Sequence, residues 1–387
     1  MKIMQICFTE LINSAGGVEK VFCNLANHFC QKHEVVGVCC DGKIGMPYYW
    51  LDDRVKLYDL TDKVIKNPLS IKIKSEIVRL FKQARILNCE LPKNQYRMDL
   101  VQNKFSELVT KEKPDVIICY SVDILPLITK IGFDLSRTIC MFHSAFSLKK
   151  MTDEQRMYLK QVKVIQVLLE SAEKYMLDSG YQQTITIGNA IGTDEDISID
   201  FDNREKEIVC VARLDKKVKQ QHLLIQAFAK LAFKYPEWKV KIYGGNPVPD
   251  TYIDELKELI NKGKMGGKMN VFLMGTCNNI LDEIKKSSIF VLPSKGEGFP
   301  VALGEAMSVG LPIIGFKDAT GVNSLIKNKV NGLLCESNVD SLSNAIETLI
   351  KNKDLCVQFG KVGYEDMLQF KPNSIYQKWD EVIENFV

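Results

Sequence analysis

Short apolar runs of four to seven residues return along almost the whole sequence, and between them lie stretches whose apolar residues recur three and four apart. Runs this short suit buried strands. Strands alternating with amphipathic helices can satisfy their backbone and hide their apolar faces as a parallel sheet with helices on both sides. The first series opens with Ile3 to Phe8, a loop Asn13-Ser14-Ala15-Gly16-Gly17, an amphipathic stretch from Val18 to about Cys30 and a second run, Glu34 to Cys39. That is a βαβ unit. Asp115 to Cys119, Arg137 to Phe142 and Val162 to Leu168 continue it. The rhythm fails over Ile185 to Asp200, ITIGNAIGTDEDISID, which is polar and acidic and reads as a linker. A second series follows at Ile208 to Val211, Val240 to Tyr243, Val271 to Met274, Ile289 to Leu292, Pro312 to Gly315 and Gly332 to Cys335. Beyond Leu342 the pattern is helical, with Pro372 interrupting it before a last amphipathic segment, Ile375 to Phe386. The expectation is two doubly wound α/β domains.

Length agrees, since 387 residues suit two domains better than one. The 51 basic and 48 acidic residues leave a net charge of +3, too little for a nucleic-acid-binding polycation. Twelve cysteines lie scattered with no C-x-x-C pair and no histidine at zinc spacing, which fits free thiols in a reducing, cytosolic compartment. MKIMQICFTE meets an acid too early for the apolar core of an export signal, and no stretch approaches the ~18 apolar residues of a membrane span.

The densest chemical signal is segment 289 to 310, IFVLPSKGEGFPVALGEAMSVG, a buried strand, a glycine loop and a helix starting near Val301. A helix start offers unpaired N–H groups and a positive dipole end to phosphate oxygens, although Pro300 itself cannot donate. Glu297 lies in the loop, where it can reach sugar hydroxyls, and Glu305 lies inside the helix, where a carboxylate can accept both hydroxyls of a ribose. Two glutamates eight apart are by themselves usually solvated; the strand-loop-helix context gives this pair its meaning. Asp194-Glu195-Asp196 spells D-x-D, a metal-site pattern, but it follows Gly192-Thr193 inside the linker and reads as a solvated turn, so no metal is expected. Neither a Walker loop nor G-x-G-x-x-G is present, against ATPases and dehydrogenases.

The string E-G-F-P-V-A-L-G-E resembles the E-x(7)-E motif of retaining glycosyltransferase family 4. VARLDKKVKQQHLLIQAF resembles the stretch in which that family carries an Arg and a Lys, here Arg213 and Lys219, with Lys217 or Lys216 as other registers and Gln220 where a glycine is common. Gly16-Gly17-Val18-Glu19-Lys20 resembles the family's G-G-x-E-[RK] loop, His143 in MFHSAF its histidine near the donor sugar, and Met274-Gly275-Thr276 its nucleobase loop. The resemblance implies the GT-B fold, two Rossmann-like domains facing a cleft, with a C-terminal helix crossing back to the first domain. The boundaries expected are 1–188 for acceptor binding, 189–368 for nucleotide-sugar binding and 369–387 for the returning helix. It implies that Arg213 and Lys219 hold the donor diphosphate, Glu297 and His143 contact the sugar, and Glu305 anchors the ribose. Gly16, Gly17, Phe299, Val301 and Ala302 would complete the donor site.

The expected function is a retaining, metal-independent and cofactor-free transfer of a hexose from a nucleotide diphosphate sugar, UDP-linked, to a lipid-linked or polysaccharide acceptor. The product would enter a cell-surface glycan such as lipopolysaccharide or capsule. A 2-epimerase of the same fold and a two-lobed small-molecule binding protein are the alternatives. Between Lys63 and Lys113, 12 Lys and Arg against 5 Asp and Glu leave +7 in segments of helical period such as IKIKSEIVRLFKQARIL. A basic amphipathic helix reads as a binder of an anionic membrane surface, which places the protein in the cytoplasm or on the inner face of the cell membrane.

Overall fold

The computed structural model describes residues 1–8, 11–83, 88–143, 151–192, 199, 202–245, 251–265 and 269–386. The chain divides into two units: Met1–Gly188 together with Tyr376–Val387, and Asn189–Ile375.

The first unit holds a seven-stranded sheet of β1 (Lys2–Ile6), β2 (Glu34–Cys39), β3 (Lys56–Asp59), β4 (Val116–Cys119), β5 (Thr138–Phe142), β6 (Val164–Val167) and β7 (Thr184–Thr186). Its order is β3-β2-β1-β4-β5-β6-β7 and every pairing is parallel. Central register is fixed from both sides, with Ile3 opposite Val35 and opposite Val116. Helices α1 (Gly17–Phe29), α2 (Leu69–Gln83), α3 (Pro92–Glu112), α4 (Leu125–Lys130), α5 (Asp153–Leu159) and α6 (Glu170–Asp178) form the crossovers. Phe105 and Leu108 of α3 and Leu125, Leu127 and Ile128 of α4 pack with Met4, Ile117 and Cys140 of the sheet into one core. A sheet with helices on both faces needs apolar side chains on both sides of its central strands, which is why those strands read as unbroken runs.

Two strands depart from the sequence reading. β3 lies outside every run singled out, and β7 occupies the start of the expected linker, so Ile185 is a strand residue paired with Gln166. Both are the edges of the sheet, short and polar, KLYD and TIT, because a strand paired on one side only need not be apolar throughout. Asp194, Glu195 and Asp196 lie outside the described residues.

The second unit is a six-stranded parallel sheet of β8 (Glu207–Val211), β9 (Lys239–Tyr243), β10 (Val271–Gly275), β11 (Ile289–Leu292), β12 (Ile313–Phe316) and β13 (Gly332–Cys335) in the order β10-β9-β8-β11-β12-β13. Its helices are α7 (Gln221–Ala229), α8 (Tyr252–Met265), α9 (Ile280–Lys286), α10 (Val301–Ser308), α11 (Val322–Leu325), α12 (Val339–Lys351) and α13 (Lys353–Met367). Asn338 and Asn352 cap the last two, each accepting a backbone N–H at 2.9 Å.

A final helix, α14 (Pro372–Glu384), returns the chain to the first unit, whose final segment begins at Tyr376 rather than at 369. Pro372 starts this helix, where its missing N–H costs nothing, so one residue both ends the preceding pattern and begins the next. Ile375, Trp379 and Ile383, four apart, are all buried. Trp379 meets Phe29 of α1 edge-on at 6.3 Å, Tyr376 stacks on His28 at 4.5 Å, and Asp380 takes His28 Nε2 and Lys32 Nζ at 2.6 Å each.

Candidate functional site

In a doubly wound sheet the strand order reverses at one point, and the loops leaving the carboxyl ends on either side of it diverge to leave a crevice. In the second unit that point lies between β8 and β11. The loop leaving β8 carries Arg213 and Lys219, and the loop leaving β11 carries Glu297. The two loops are joined directly: Lys295 N–H donates to Val218 O at 2.8 Å, and Lys219 Nζ donates to both Glu297 oxygens, at 2.6 and 2.7 Å. Both side chains are mostly buried, 18% and 12% exposed, so the pair is screened far less than a surface ion pair.

Local chemistry explains how Lys219 reaches this position. Asp215 folds the loop back on itself, its side chain accepting the N–H groups of Lys217 and Val218 at 2.8 and 2.9 Å and its carbonyl those of Lys219 and Gln220, both at 2.9 Å. Gln220 then takes a left-handed backbone, φ +51°, the conformation that favours glycine. Gln221, fully buried, ties the start of α7 to the end of β8 through Nε2 and Arg213 O at 2.7 Å. Of the three lysines, Lys219 faces Glu297, Lys216 pairs with Glu255, and Lys217 is exposed. Arg213 is exposed and its guanidinium has no hydrogen bond or ion pair among the described residues; the structure does not bring it against Glu297.

The Glu297 loop is braced from behind. Its N–H donates to Thr320 O at 2.7 Å, and Gly321, φ +81°, lies so close that a Cβ there would sit 2.5 Å from Glu297 O. Phe299 is buried against Phe370 at 5.2 Å. Pro300 precedes α10, and its carbonyl accepts the Gly304 N–H at 3.0 Å, the first turn's bond, which leaves Val301 and Ala302 N–H without helical partners. Both residues are half-buried, while Glu305, one turn on, is buried. Ser294 Oγ, at the end of β11, is buried without a hydrogen-bond partner among the described residues. Met274, Gly275 and Thr276 are exposed at the end of β10, where Gly275, φ +71°, shifts the register and accepts Gly244 N–H at 2.8 Å.

In the first unit the reversal falls between β1 and β4. Gly16 and Gly17 follow β1, and a Cβ on Gly16 would meet Glu19 Oε2 at 2.0 Å, so the space left by the missing side chain is filled by the protein's own carboxylate. Asp41, beyond β2, holds the approach to this loop by accepting Leu11 and Ile12 N–H at 2.8 and 2.6 Å. His143 follows β5 with its ring stacked on Tyr120 at 5.3 Å and 10°, and Tyr120 is fixed by donating to Gln5 Oε1 at 2.7 Å. Burial pushes the His143 pKa down to about 4, so the ring is neutral at pH 7; its Nε2 is buried without a partner among the described residues.

Asp215, Gln221, Gly321, Ser294 and Tyr120 were not singled out from sequence. Only Asp215 carried a local sign, an aspartate two residues ahead of the N–H it binds; the others act across long stretches of chain. No group of three or more His, Cys, Asp or Glu able to hold a metal ion occurs among the described residues.

Two doubly wound parallel α/β units in one chain are the arrangement of the fold called GT-B. Residues 193–366 match the model of the family glycosyl transferases group 1. An uncharacterized glycosyltransferase of Haemophilus influenzae is 24% identical over 385 residues, covering 97% of this chain and 98% of its own. An exopolysaccharide phosphotransferase of Streptomyces coelicolor is 25% identical over 96% of this chain, which spans 40% of that relative's length. The UDP-Gal:alpha-D-GlcNAc-diphosphoundecaprenol alpha-1,3-galactosyltransferase of Escherichia coli is 42% identical over 92 residues, 24% of each chain. Among solved structures, Anabaena HepE in complex with UDP-glucose superposes with a TM-score of 0.70 at 16% identity and full coverage of both chains, a likeness of fold.

Proposed function

We propose that the protein is a retaining glycosyltransferase of family 4 type, independent of metal, that moves a hexose from a UDP-linked sugar to a lipid-linked or polysaccharide acceptor. It would act in the cytoplasm at the inner face of the cell membrane. The observation that carries this reading is the Lys219–Glu297 pair, held at the switch point of the second sheet beside the open start of α10. Breaking the bond between the sugar's anomeric carbon and the diphosphate leaves extra negative charge on the departing oxygen. A fixed ammonium and two fixed N–H donors stabilise that charge more than they stabilise the intact donor.

Lys219 is paired with Glu297. Arrival of a diphosphate lets the ammonium turn to phosphate oxygens and frees the carboxylate to accept hydroxyls of the sugar. Arg213, exposed on the same loop and without an ion pair among the described residues, is available to the outer phosphate. Glu305 would accept the ribose hydroxyls, and the buried Nε2 of neutral His143, without a partner among the described residues, would meet a hydroxyl of the sugar. The acceptor's oxygen takes the face the diphosphate leaves, and its proton passes to the departing diphosphate, so no side chain acts as nucleophile. The name of the Escherichia coli relative and the UDP-glucose held by HepE support UDP as carrier, and the former supports a diphosphate-linked lipid as acceptor.

A thermal-shift screen of nucleotide sugars in EDTA tests the reading. A matching UDP-hexose should raise the melting temperature by several degrees, as expected for a ligand at about 100 times its Kd, and should do so without added Mg²⁺. Stabilisation by no nucleotide sugar, or only with Mg²⁺, would refute the donor or the metal independence respectively. Product NMR then separates transfer of a hexose with retained configuration from transfer of a phosphosugar.

A further inference from the structure

Helix α2 rests on the first unit through a narrow stripe. Ser75 is buried and Ile71 and Val78 are half-buried, and Ser75 Oγ donates to Ile71 O at 2.7 Å while accepting Lys93 N–H of α3 at 3.0 Å. On the opposite side stand Leu69, Ile73, Ile77 and Leu80, which are 73%, 53%, 48% and 64% exposed. At roughly 100° per residue, Leu69, Ile73 and Leu80 fall within about 40° of one another, and the middle of that group lies about 180° from the buried stripe. The apolar face thus points away from the protein, the reverse of an ordinary surface helix.

Cations border this face on both sides. On one edge Glu76 stands next to Leu69 and pairs with Arg79 at 2.9 Å, with Lys72 just beyond it; Lys74 lies on the other edge, and α2 as a whole carries four cations against this one carboxylate. Lys72 and Lys74, and Lys66 just ahead of the helix, have no ion pair among the described residues. The sequence continues into Ala84 to Leu87, outside the described residues.

We propose that this outward face of α2 docks on an anionic lipid surface, with Leu69, Ile73, Ile77 and Leu80 entering the boundary between headgroups and acyl chains and Lys66, Lys72 and Lys74 meeting lipid phosphates. Charge decides between occupants. A second copy laid face to face on the same patch would set one copy's lysines against the other's, whereas an anionic surface complements every one of them. The inference rests on the membrane placement in the proposed function and narrows it to one helix, and vesicle binding and donor binding fail independently.

The full-length protein, sedimented with vesicles of phosphatidylglycerol and phosphatidylcholine, should bind at least about ten-fold more strongly than to pure phosphatidylcholine, and less so in high salt. The Leu69→Gln/Ile73→Gln/Leu80→Gln variant should lose about ten-fold of that binding, and Lys72→Gln/Lys74→Gln several-fold. Both variants should keep wild-type melting, because the altered side chains are exposed. Absence of vesicle binding, equal binding to neutral vesicles, or binding unchanged in both variants would overturn the proposal. So would concentration-dependent dimerisation in solution that the triple substitution abolishes.

Discussion

Gln220 holds a left-handed backbone with φ +51° and ψ +38° immediately before α7, a conformation that costs a side-chain-bearing residue about 1–2 kcal/mol. Gln220→Gly should therefore stabilise the second unit by about 0.5–1 kcal/mol after the extra entropy of the unfolded glycine is set against the gain, read as a higher melting temperature. The same geometry explains why the stretch around Lys219 reads out of step with its family pattern in sequence: turn and lysine are held by Asp215, whatever residue stands at 220. His143 gives a pH signature. Its folded pKa is lowered to about 4 from an unfolded value near 6.5, so between those values the unfolded chain takes up a proton that the fold refuses. Stability from this group is complete above about pH 6.5 and falls as pH drops through 4, by about 3 kcal/mol in all. Replacing it, as His143→Gln, should flatten that part of the curve in paired melts at pH 7 and about pH 4.5. An equal decline in the variant would mean that other groups, such as His33 and His222, whose pKa values burial also lowers, account for it.

At the scale of elements, α14 is the piece whose removal the first unit should feel most. Trp379 is 3% exposed and packs edge-on against Phe29, so Trp379→Ala should destabilise by about 3–5 kcal/mol. Amide exchange should rise in α1 and leave the sheet of the second unit protected; the opposite pattern would misplace the helix. Its amphipathic spacing was legible in sequence, and so were the inner strands of both sheets, because strands covered on both faces are mostly apolar; the edges β10 and β13 were legible as well, since VFLMG and GLLC are themselves apolar. The edge strands β3 and β7 were not legible, since KLYD and TIT carry too little apolar pattern to stand out from loops. The strand-loop-helix context of Glu297 and Glu305 was visible for the same reason in reverse, as a buried strand ending in glycines and a proline is a strong local sign.

For the whole molecule, each sheet sets its candidate residues at the carboxyl ends beside its own reversal of strand order, and the chain returns to its first unit at the end. Apolar periodicity marks the strands and parallel strands set where loops converge, so the placing of the candidate residues in loops at carboxyl ends was legible in sequence while their pairing was not. The direct bond between Lys219 and Glu297 joins residues 78 positions apart and has no local signature. It is also where the functional account is most exposed. Titration calorimetry of UDP and UMP against the wild type and Lys219→Met examines it without knowledge of sugar or acceptor. If the switch point grips a pyrophosphate through this lysine, the wild type should bind UDP at least about ten-fold tighter than UMP, and the substitution should remove most of that difference. Equal affinity for the two nucleotides, or a preference for UDP that survives in Lys219→Met, would contradict the account.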